Sequence, residues 1–405
     1  MLAVKAFHNN KAYKLFAIGF ILINVTSFAT MFVNLQCGLI FSLYALFYML
    51  SVHNLSVLEK SYTYQLFSLF VFLELLSIPL SLLSPYGGFL ASNPMVFLYG
   101  FSYLLIPQLF FYKVGVAVKD TKQALLLLLK CNAILVLVSI VLYILRPGFY
   151  LNLISSKFTE TFDIYGGFVP RLVGYIADSM AMGVICSSSF VLTLAYVEKK
   201  KFIYLLVFLA GSIMSMQRGS WVTLIVASFI YLILSKKLFK LSFKWIILIG
   251  LLVVSIIYFI TAIDVEGNLS YMDLLMRRFE NIGSAGGERN MQWFGVIDAV
   301  GNYPLGFGLG ALSHKGVGMG FPVVCPDGNY FRILGDTGVL GFLIFLFLNC
   351  STLWFLLKNR RYGLMCALLV FLAQAIGTNV FDLYYASFIY WFLMGTSSKM
   401  ITNGK

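Results

Sequence analysis

The chain has 405 residues, of which 60% are hydrophobic and only 11% charged, and its mean hydropathy is +0.90. Soluble domains carry about 25% charged residues, so a deficit spread over the whole length excludes a soluble domain with one anchor and predicts an all-α polytopic membrane protein. The net charge of +13 does not point to nucleic acid as a partner, because the lysines cluster between apolar runs, where topology signals belong.

A membrane span needs roughly 20 apolar residues. In chain order the apolar runs fall at 15–33, 36–52, 64–83, 95–112, 124–145, 175–197, 202–217, 219–234, 245–263, 338–357, 362–380 and 383–396, which predicts about twelve spans in a single membrane domain, 1–405. The turns at Arg218 and Asp382 are the tightest. Pro79 and Pro107 fall inside runs and predict kinks rather than boundaries. The first run follows Lys5, Lys11 and Lys14 and passes almost directly into the second, so a retained span is expected rather than a cleaved signal peptide. Five cysteines lie inside apolar runs and only Cys325 lies in a long loop, so neither a disulfide nor a thiolate metal site is expected. No repeat of fixed period supports a solenoid or an inverted-repeat transporter.

Orientation follows from the basic residues. With both termini inside, 19 Lys and Arg fall on the cytoplasmic side and 9 outside, with Lys130 inside a span. The positive-inside rule selects this orientation. The inner set is 17 Lys and 2 Arg, and the outer set is 2 Lys and 7 Arg. Topology needs only positive charge, which lysine supplies. Arginine adds a planar fork of donors that engages phosphate or carboxylate bidentately. The outer arginines either pair with the outer acids or bind such a group.

Two outer segments carry this polarity, residues 146–174 and the large loop 264–337. The large loop holds Arg277, Arg278, Glu288, Arg289, His314, Asp327, Arg332 and Asp336 among many glycines and aromatics. So long a loop is either functional or disordered, and its aromatic content argues for order. Arg218 sits between two spans in Ser215-Met216-Gln217-Arg218-Gly219-Ser220, where an ionisable group is costly and marks a functional candidate. Its alternative is a side chain snorkelling to head groups. No P-loop, GxSxG, HExxH or Cys/His metal spacing occurs. The acid pair Asp264 and Glu266 is a weak candidate for a divalent metal. Glu74 and Asp382, within or between spans, are candidates for pairing inside the bundle. Arginines, carboxylates and one histidine on the outer face of a helical bundle suit a lipid-linked diphosphate. Arginines would stabilise the leaving diphosphate without a metal, a carboxylate or histidine would take a proton from the attacking hydroxyl, and Trp293 and Tyr330 would stack on sugar faces.

An ordered set of motifs resembles a family. It comprises Arg171-Leu172-Val173-Gly174 followed by Asp178; Gln217-Arg218-Gly219-Ser220; Glu288-Arg289 with Trp293; Pro304-Leu305-Gly306-Phe307-Gly308-Leu309-Gly310; and Asp327-Gly328-Asn329-Tyr330 running into Gly338-Val339-Leu340-Gly341. In that order and topology the chain resembles the O-antigen polymerase (Wzy-type) and O-antigen ligase superfamily over roughly Arg171 to Gly341. Ligases of that superfamily end their large loop with a histidine ahead of a glycine pattern. Gly338 and Gly341 fit the glycines, which places Asp327 at the histidine position, and His314 lies thirteen residues too early. An aspartate there is more similar to a polymerase.

The resemblance implies a metal-independent, cofactor-free, GT-C-like glycosyltransferase of the bacterial inner membrane, with its active site facing the periplasm. It would move a glycan from undecaprenyl diphosphate onto the non-reducing end of another lipid-linked repeat unit. Partners implied are that lipid-linked oligosaccharide, membrane lipid, a chain-length regulator and a flippase. Arg171, Arg218 and Arg289 match family arginines and would hold the diphosphate. Asp327 would orient or deprotonate the acceptor, or else cap the helix beginning near Tyr330. Arg277, Arg278, Glu288, Trp293, Tyr330, Arg332, Asp336, His314 and Asp178 are the remaining candidates for substrate contact, Arg332 and Asp336 alternatively pairing with acids. A ligase acting on lipid A core, or a lipid-linked oligosaccharide flippase, remain the alternatives; nearly charge-free spans argue against the flippase.

Overall fold

The computed structural model describes residues 11–29, 61–118, 120–157, 171–176, 178–236, 264–265, 269–270 and 285–402. The described helices are α1 (Lys11–Ala29), α2 (Tyr62–Ser81), α3 (Gly87–Ser92), α4 (Met95–Tyr99), α5 (Ile106–Ala117), α6 (Thr121–Leu145), α7 (Gly148–Lys157), α8 (Ser179–Tyr196), α9 (Lys201–Met214), α10 (Arg218–Leu234), α11 (Ala285–Asn302), α12 (His314–Gly318), α13 (Asn329–Lys358), α14 (Tyr362–Gln374) and α15 (Tyr384–Thr402). A π-helical turn, Gly100–Leu105, joins α4 to α5. Strands β1 (Asp264–Val265) and β2 (Leu269–Ser270) pair antiparallel.

Continuous apolar sequence dictates these helices, because backbone polar groups in lipid must bond within their own segment. Short polar residues then set their starts. Ser61 accepts from Tyr64 N at 3.2 Å, Asp120 from Gln123 N at 3.0 Å and Asp178 from Ala181 N at 2.8 Å, each satisfying a donor of a first turn. α6 stops where Arg146 turns left-handed at φ 45° ahead of Pro147. Pro107 enters at the start of α5, just after the π turn, so the run bends there without ending. Pro79 lies in the last turn of α2.

Five segments are long and apolar enough to cross a membrane: α2, the Met95–Ala117 stretch, α6, α8 and α13. Shorter apolar helices lie at Phe16–Val25 and in α9, α10 and α14. The expected spans at 36–52 and 245–263 lie outside the described residues. Large apolar side chains are exposed in rows on α2 (Leu69, Phe72), α6 (Ile134, Leu137, Val141), α10 (Val222, Ile225, Phe229) and α13 (Leu340, Leu343, Phe347). Apolar patches of that extent mark a membrane-facing surface rather than a soluble one.

The bundle closes around α8, whose Ala181–Ser189 stretch is wholly buried. α5 and α15 approach so closely that a Cβ on Gly395 would sit 2.1 Å from Tyr112 O, and one on Gly115 2.5 Å from Phe392 O. Small residues permit such contacts where lipid supplies no hydrophobic drive between helices. A second, smaller apolar core unites Leu90 and Val96 with Val296, Val300, Phe307, Leu312 and Phe321. It makes the 303–328 segment a packed cap over the end of the bundle.

Candidate functional site

The cap is anchored at one kink. Gly338 interrupts α13 at φ 71° and ψ −177°, a left-handed conformation that only glycine adopts without strain. Pro304-Leu305-Gly306-Phe307-Gly308-Leu309-Gly310 winds around that kink. Phe307 N donates to Gly335 O at 2.8 Å, Gly308 N to Asp336 O at 2.9 Å and Val339 N to Pro304 O at 3.0 Å. The glycine motif is therefore the seat of the cap.

Asp336 locks the same motif from the interior. Its Oδ2 accepts from Gly310 N at 3.2 Å and its Oδ1 from Leu312 N at 2.9 Å. Arg332, one turn earlier, places Nη1 3.0 Å from Asp336 Oδ2. Its Nε lies 2.8 Å from Asp382 Oδ1, at an angle too bent for a hydrogen bond. The Arg332 and Asp336 side chains are only 5% and 1% exposed. Glu74, on α2, accepts from Gln108 Nε2 at 2.8 Å within the electrostatic reach of Arg332. Burial pushes the Asp382 carboxyl upward, and the Arg332 guanidinium opposes that. So Arg332 pairs with both Asp336 and Asp382, inside the protein rather than at a solvent-open surface.

The open part of the site lies beside this network. Arg289, on α11, donates from Nε to Asp327 Oδ2 at 3.3 Å, with both side chains about 40% exposed (39% and 41%). Trp293 Nε1 donates to the Asp327 carbonyl, and Gln292 Oε1 accepts from Asp327 N at 2.9 Å. The Trp293 ring stacks on Phe331 at 4.8 Å between centroids. Asp327 does not cap α13: Gly328 occupies the N-cap, with no side-chain bond there. The 376–382 turn holds this segment from behind. Gly328 N donates to Asn379 Oδ1 at 3.1 Å, Asn379 Nδ2 to Pro326 O at 2.8 Å, and Phe381 N to Asn329 Oδ1 at 2.7 Å. Cys325 lies within the field of Asp327, Asp336, Asp382 and Arg332, and burial pushes its thiol up to about 12. It stays protonated at neutral pH and is no nucleophile.

Arg171, Asp178 and Arg218 gather at one neighbouring corner. Leu172 N donates to Met214 O at 2.8 Å, and Gln217 Nε2 donates to Ser179 Oγ at 2.9 Å. Asp178 is the N-cap of α8. Arg218 opens α10, whose start is pinned by Ser220: its Oγ donates to Gly183 O at 2.7 Å. Ser220 is thus fully buried, and the open space beside Arg218 comes from Gly219 alone. The corner faces the same end of the bundle as Arg289. Gln374 Nε2 donates to Thr223 Oγ1 at 2.9 Å, tying the end of α14 to the start of α10. A Cβ on Gly377, three residues on, would lie 3.6 Å from Arg289 Nη1.

Of the remaining candidates, His314 is exposed at the start of α12 and acts electrostatically on Asp382. Tyr330 is half-buried, its hydroxyl donating to Leu372 O at 3.0 Å. Glu288 lies in the first turn of α11. Arg277 and Arg278 lie outside the described residues, as does Glu266. Among the described residues no group of three or more His, Cys, Asp or Glu could hold a metal. The residues not singled out in the sequence include Gln292 and Phe331 beside Asp327 and Trp293, and Gly377 and Asn379 behind them. For Gly377 and Asn379 the signal was the polar break Gly377-Thr378-Asn379 just ahead of Asp382.

Below the site runs an apolar groove of about 380 Å³ between α10, α13 and α14, lined by Val222, Val226, Leu346, Leu353 and Leu369, with Tyr330 and Ile376 also on its wall. Ile376 adjoins Gly377 and so connects the groove to Arg289.

The chain matches no protein-family model, and no curated protein sequence matches it. What the composition and fold define is the class, an all-α membrane protein.

Proposed function

We propose that the chain is a polysaccharide polymerase of the O-antigen or capsule type, a metal-independent glycosyltransferase that uses an undecaprenyl-diphosphate-linked glycan as donor and a second lipid-linked repeat unit as acceptor. The observation that carries this reading is the half-exposed Arg289–Asp327 pair, standing at the head of an apolar groove. A polyprenyl diphosphate has the same division: a long apolar tail and a compact dianionic head.

In this reading the tail lies along α10, α13 and α14, and the diphosphate meets Arg289 with Arg218 and Arg171 from the adjoining corner. The diphosphate displaces Asp327 from Arg289. The freed carboxylate takes the proton of the acceptor hydroxyl as its oxygen attacks the anomeric carbon of the donor glycan. The bond from that carbon to the diphosphate oxygen breaks, and the electron pair leaves with undecaprenyl diphosphate. Guanidiniums stabilise the charge that develops on the leaving group, and the carboxylate acts as general base. Trp293, held by the Asp327 carbonyl and Phe331, offers an aromatic edge for a sugar. The buried Arg332–Asp336–Asp382 network touches no substrate and holds the cap in register.

The same reading sets about twelve spans in a GT-C-like arrangement, with both termini in the cytoplasm and the Arg289 end facing the periplasm. It places the protein in the bacterial inner membrane beside a flippase that supplies the repeat units and a regulator of chain length. Deleting the gene and analysing lipid-linked glycans tests it. Single repeat units on the lipid anchor are the expected result. Unligated long polymer would make the protein a ligase, and repeat units trapped on the inner face would make it a flippase.

A further inference from the structure

α6 carries a cation deep inside its apolar length. Lys130 lies nine residues after Thr121, so about 13 Å into the helix at 1.5 Å per residue, in a segment of mean hydropathy 2.7. A charge at such a position calls for a partner or a polar cavity. Among the described residues no carboxylate pairs with Lys130. Its exposed side chain borders a cavity of about 260 Å³ formed by the start of α6, the end of α8 and the start of α9.

The chemistry of that cavity is specific. Lys122, Lys130 and Lys199 line it together with Tyr196 and Tyr204, and Leu126 and Leu129 form an apolar wall. The lining carries one acid, Glu198, which is held by Lys122 at 2.8 Å. Lys199 also acts on Glu198, so three lysines face a single acid and the lining keeps an excess of positive charge over an apolar floor. α8 connects this cavity to the corner containing Asp178 and Arg218: its 18 residues span about 27 Å. The cavity is therefore at the opposite end of the bundle from Arg289 and Asp327. Its cations are all lysines, which bind phosphate as mobile point charges rather than as a fixed fork. Basic pockets between membrane helices are suited to phosphate-bearing head groups.

We propose that this cavity binds the phosphate of an anionic membrane lipid, with the phosphate between Lys130 and Lys199 and an acyl chain along Leu126 and Leu129. The site is independent of the glycosyltransferase reading. The full-length protein is purified into nanodiscs of phosphatidylcholine alone, or of phosphatidylcholine with phosphatidylglycerol or cardiolipin. Lipid retained after extraction is counted by native mass spectrometry, and thermal stability is measured in parallel. The anionic lipids are expected to be retained and to raise the melting temperature. The double variant Lys130→Gln/Lys199→Gln should weaken retention roughly 30-fold, the usual electrostatic worth of two lysines near such a surface. Lys358→Gln, an exposed lysine outside the cavity, should leave retention unchanged. Equal retention of phosphatidylcholine, or full retention by the double variant, would overturn the site. An equal thermal shift with inorganic phosphate in phosphatidylcholine would overturn the lipid as its source.

Discussion

Arg289 and Asp327 are 38 positions apart in the chain, yet their side chains meet at 3.3 Å. Their side chains are far more open than those of the Arg332–Asp336 and Arg332–Asp382 pairs at the same end of the bundle, and each is held in place from behind: Arg289 beside Gly377, Asp327 by Gln292 and Trp293. An exposed pair of this kind adds little stability. Its value lies in what it presents.

Arg289→Ala is expected to lower polymer formation about 10²- to 10³-fold, the usual cost of removing one donor to a developing negative charge. Asp327→Asn should lower it roughly 10²- to 10⁴-fold through loss of the base. The charge-swapped double variant Arg289→Asp/Asp327→Arg restores a pair and should remain inactive. Glycan ladders from complemented deletion cells give the readout, and a swap that restored long chains would reduce the pair to a structural contact.

Arg332 has a different role, and its loss has a different signature. Arg332→Met leaves Asp336 and Asp382 as buried carboxylates without their shared cation. The cost is about 3–5 kcal/mol, seen as a lowered melting temperature in detergent. Adding Asp336→Asn and Asp382→Asn to that variant should recover much of the loss, because the uncompensated charges are removed with it. An unchanged melting temperature in Arg332→Met would show that the network does not hold the cap.

At Gly338 the backbone itself is tested. A Cβ there would lie 2.3 Å from Pro304 O on a backbone at φ 71°. The left-handed conformation alone costs a residue with a side chain about 1–3 kcal/mol, and the clash adds to it. Gly338→Ala should therefore unseat the cap and abolish activity. Gly318→Ala, whose new Cβ meets nothing within 4 Å, should change stability by less than about 0.5 kcal/mol.

The groove gives the fourth expectation. Ala373 lines it and is exposed, so Ala373→Trp fills the space without opening the core. KM for the polyprenyl-linked donor should rise several-fold while kcat stays close to the parent value, since uniform binding is lost and the reacting groups are untouched. A fall in kcat with unchanged KM would mean that the tail lies elsewhere.

The helices were legible in the sequence because length and hydropathy suffice to specify them in lipid. The runs at 64–83, 124–145 and 219–234 correspond to α2, α6 and α10 within a few residues. The pairing of Arg289 with Asp327 was not legible. Both residues were singled out by the family resemblance, but nothing in their spacing distinguishes a pair from two separate groups. Arg332 and Asp336 read either as sugar contacts or as partners of acids, and their burial together decides for the pairing. Asp327 read equally as a helix cap, until Gly328 proved to occupy that position.

By itself, then, the sequence determined that this is an all-α membrane protein with its chemistry concentrated in polar breaks, since apolar length and charge placement are local properties. The tertiary structure decided which of those polar groups face one another. It buries Arg332 between Asp336 and Asp382, leaves Arg289 and Asp327 half open above a groove, and stands Lys130 in a cavity at the far end. Those outcomes depend on how helices from distant parts of the chain pack, and a contact between distant segments leaves no periodic mark in either of them.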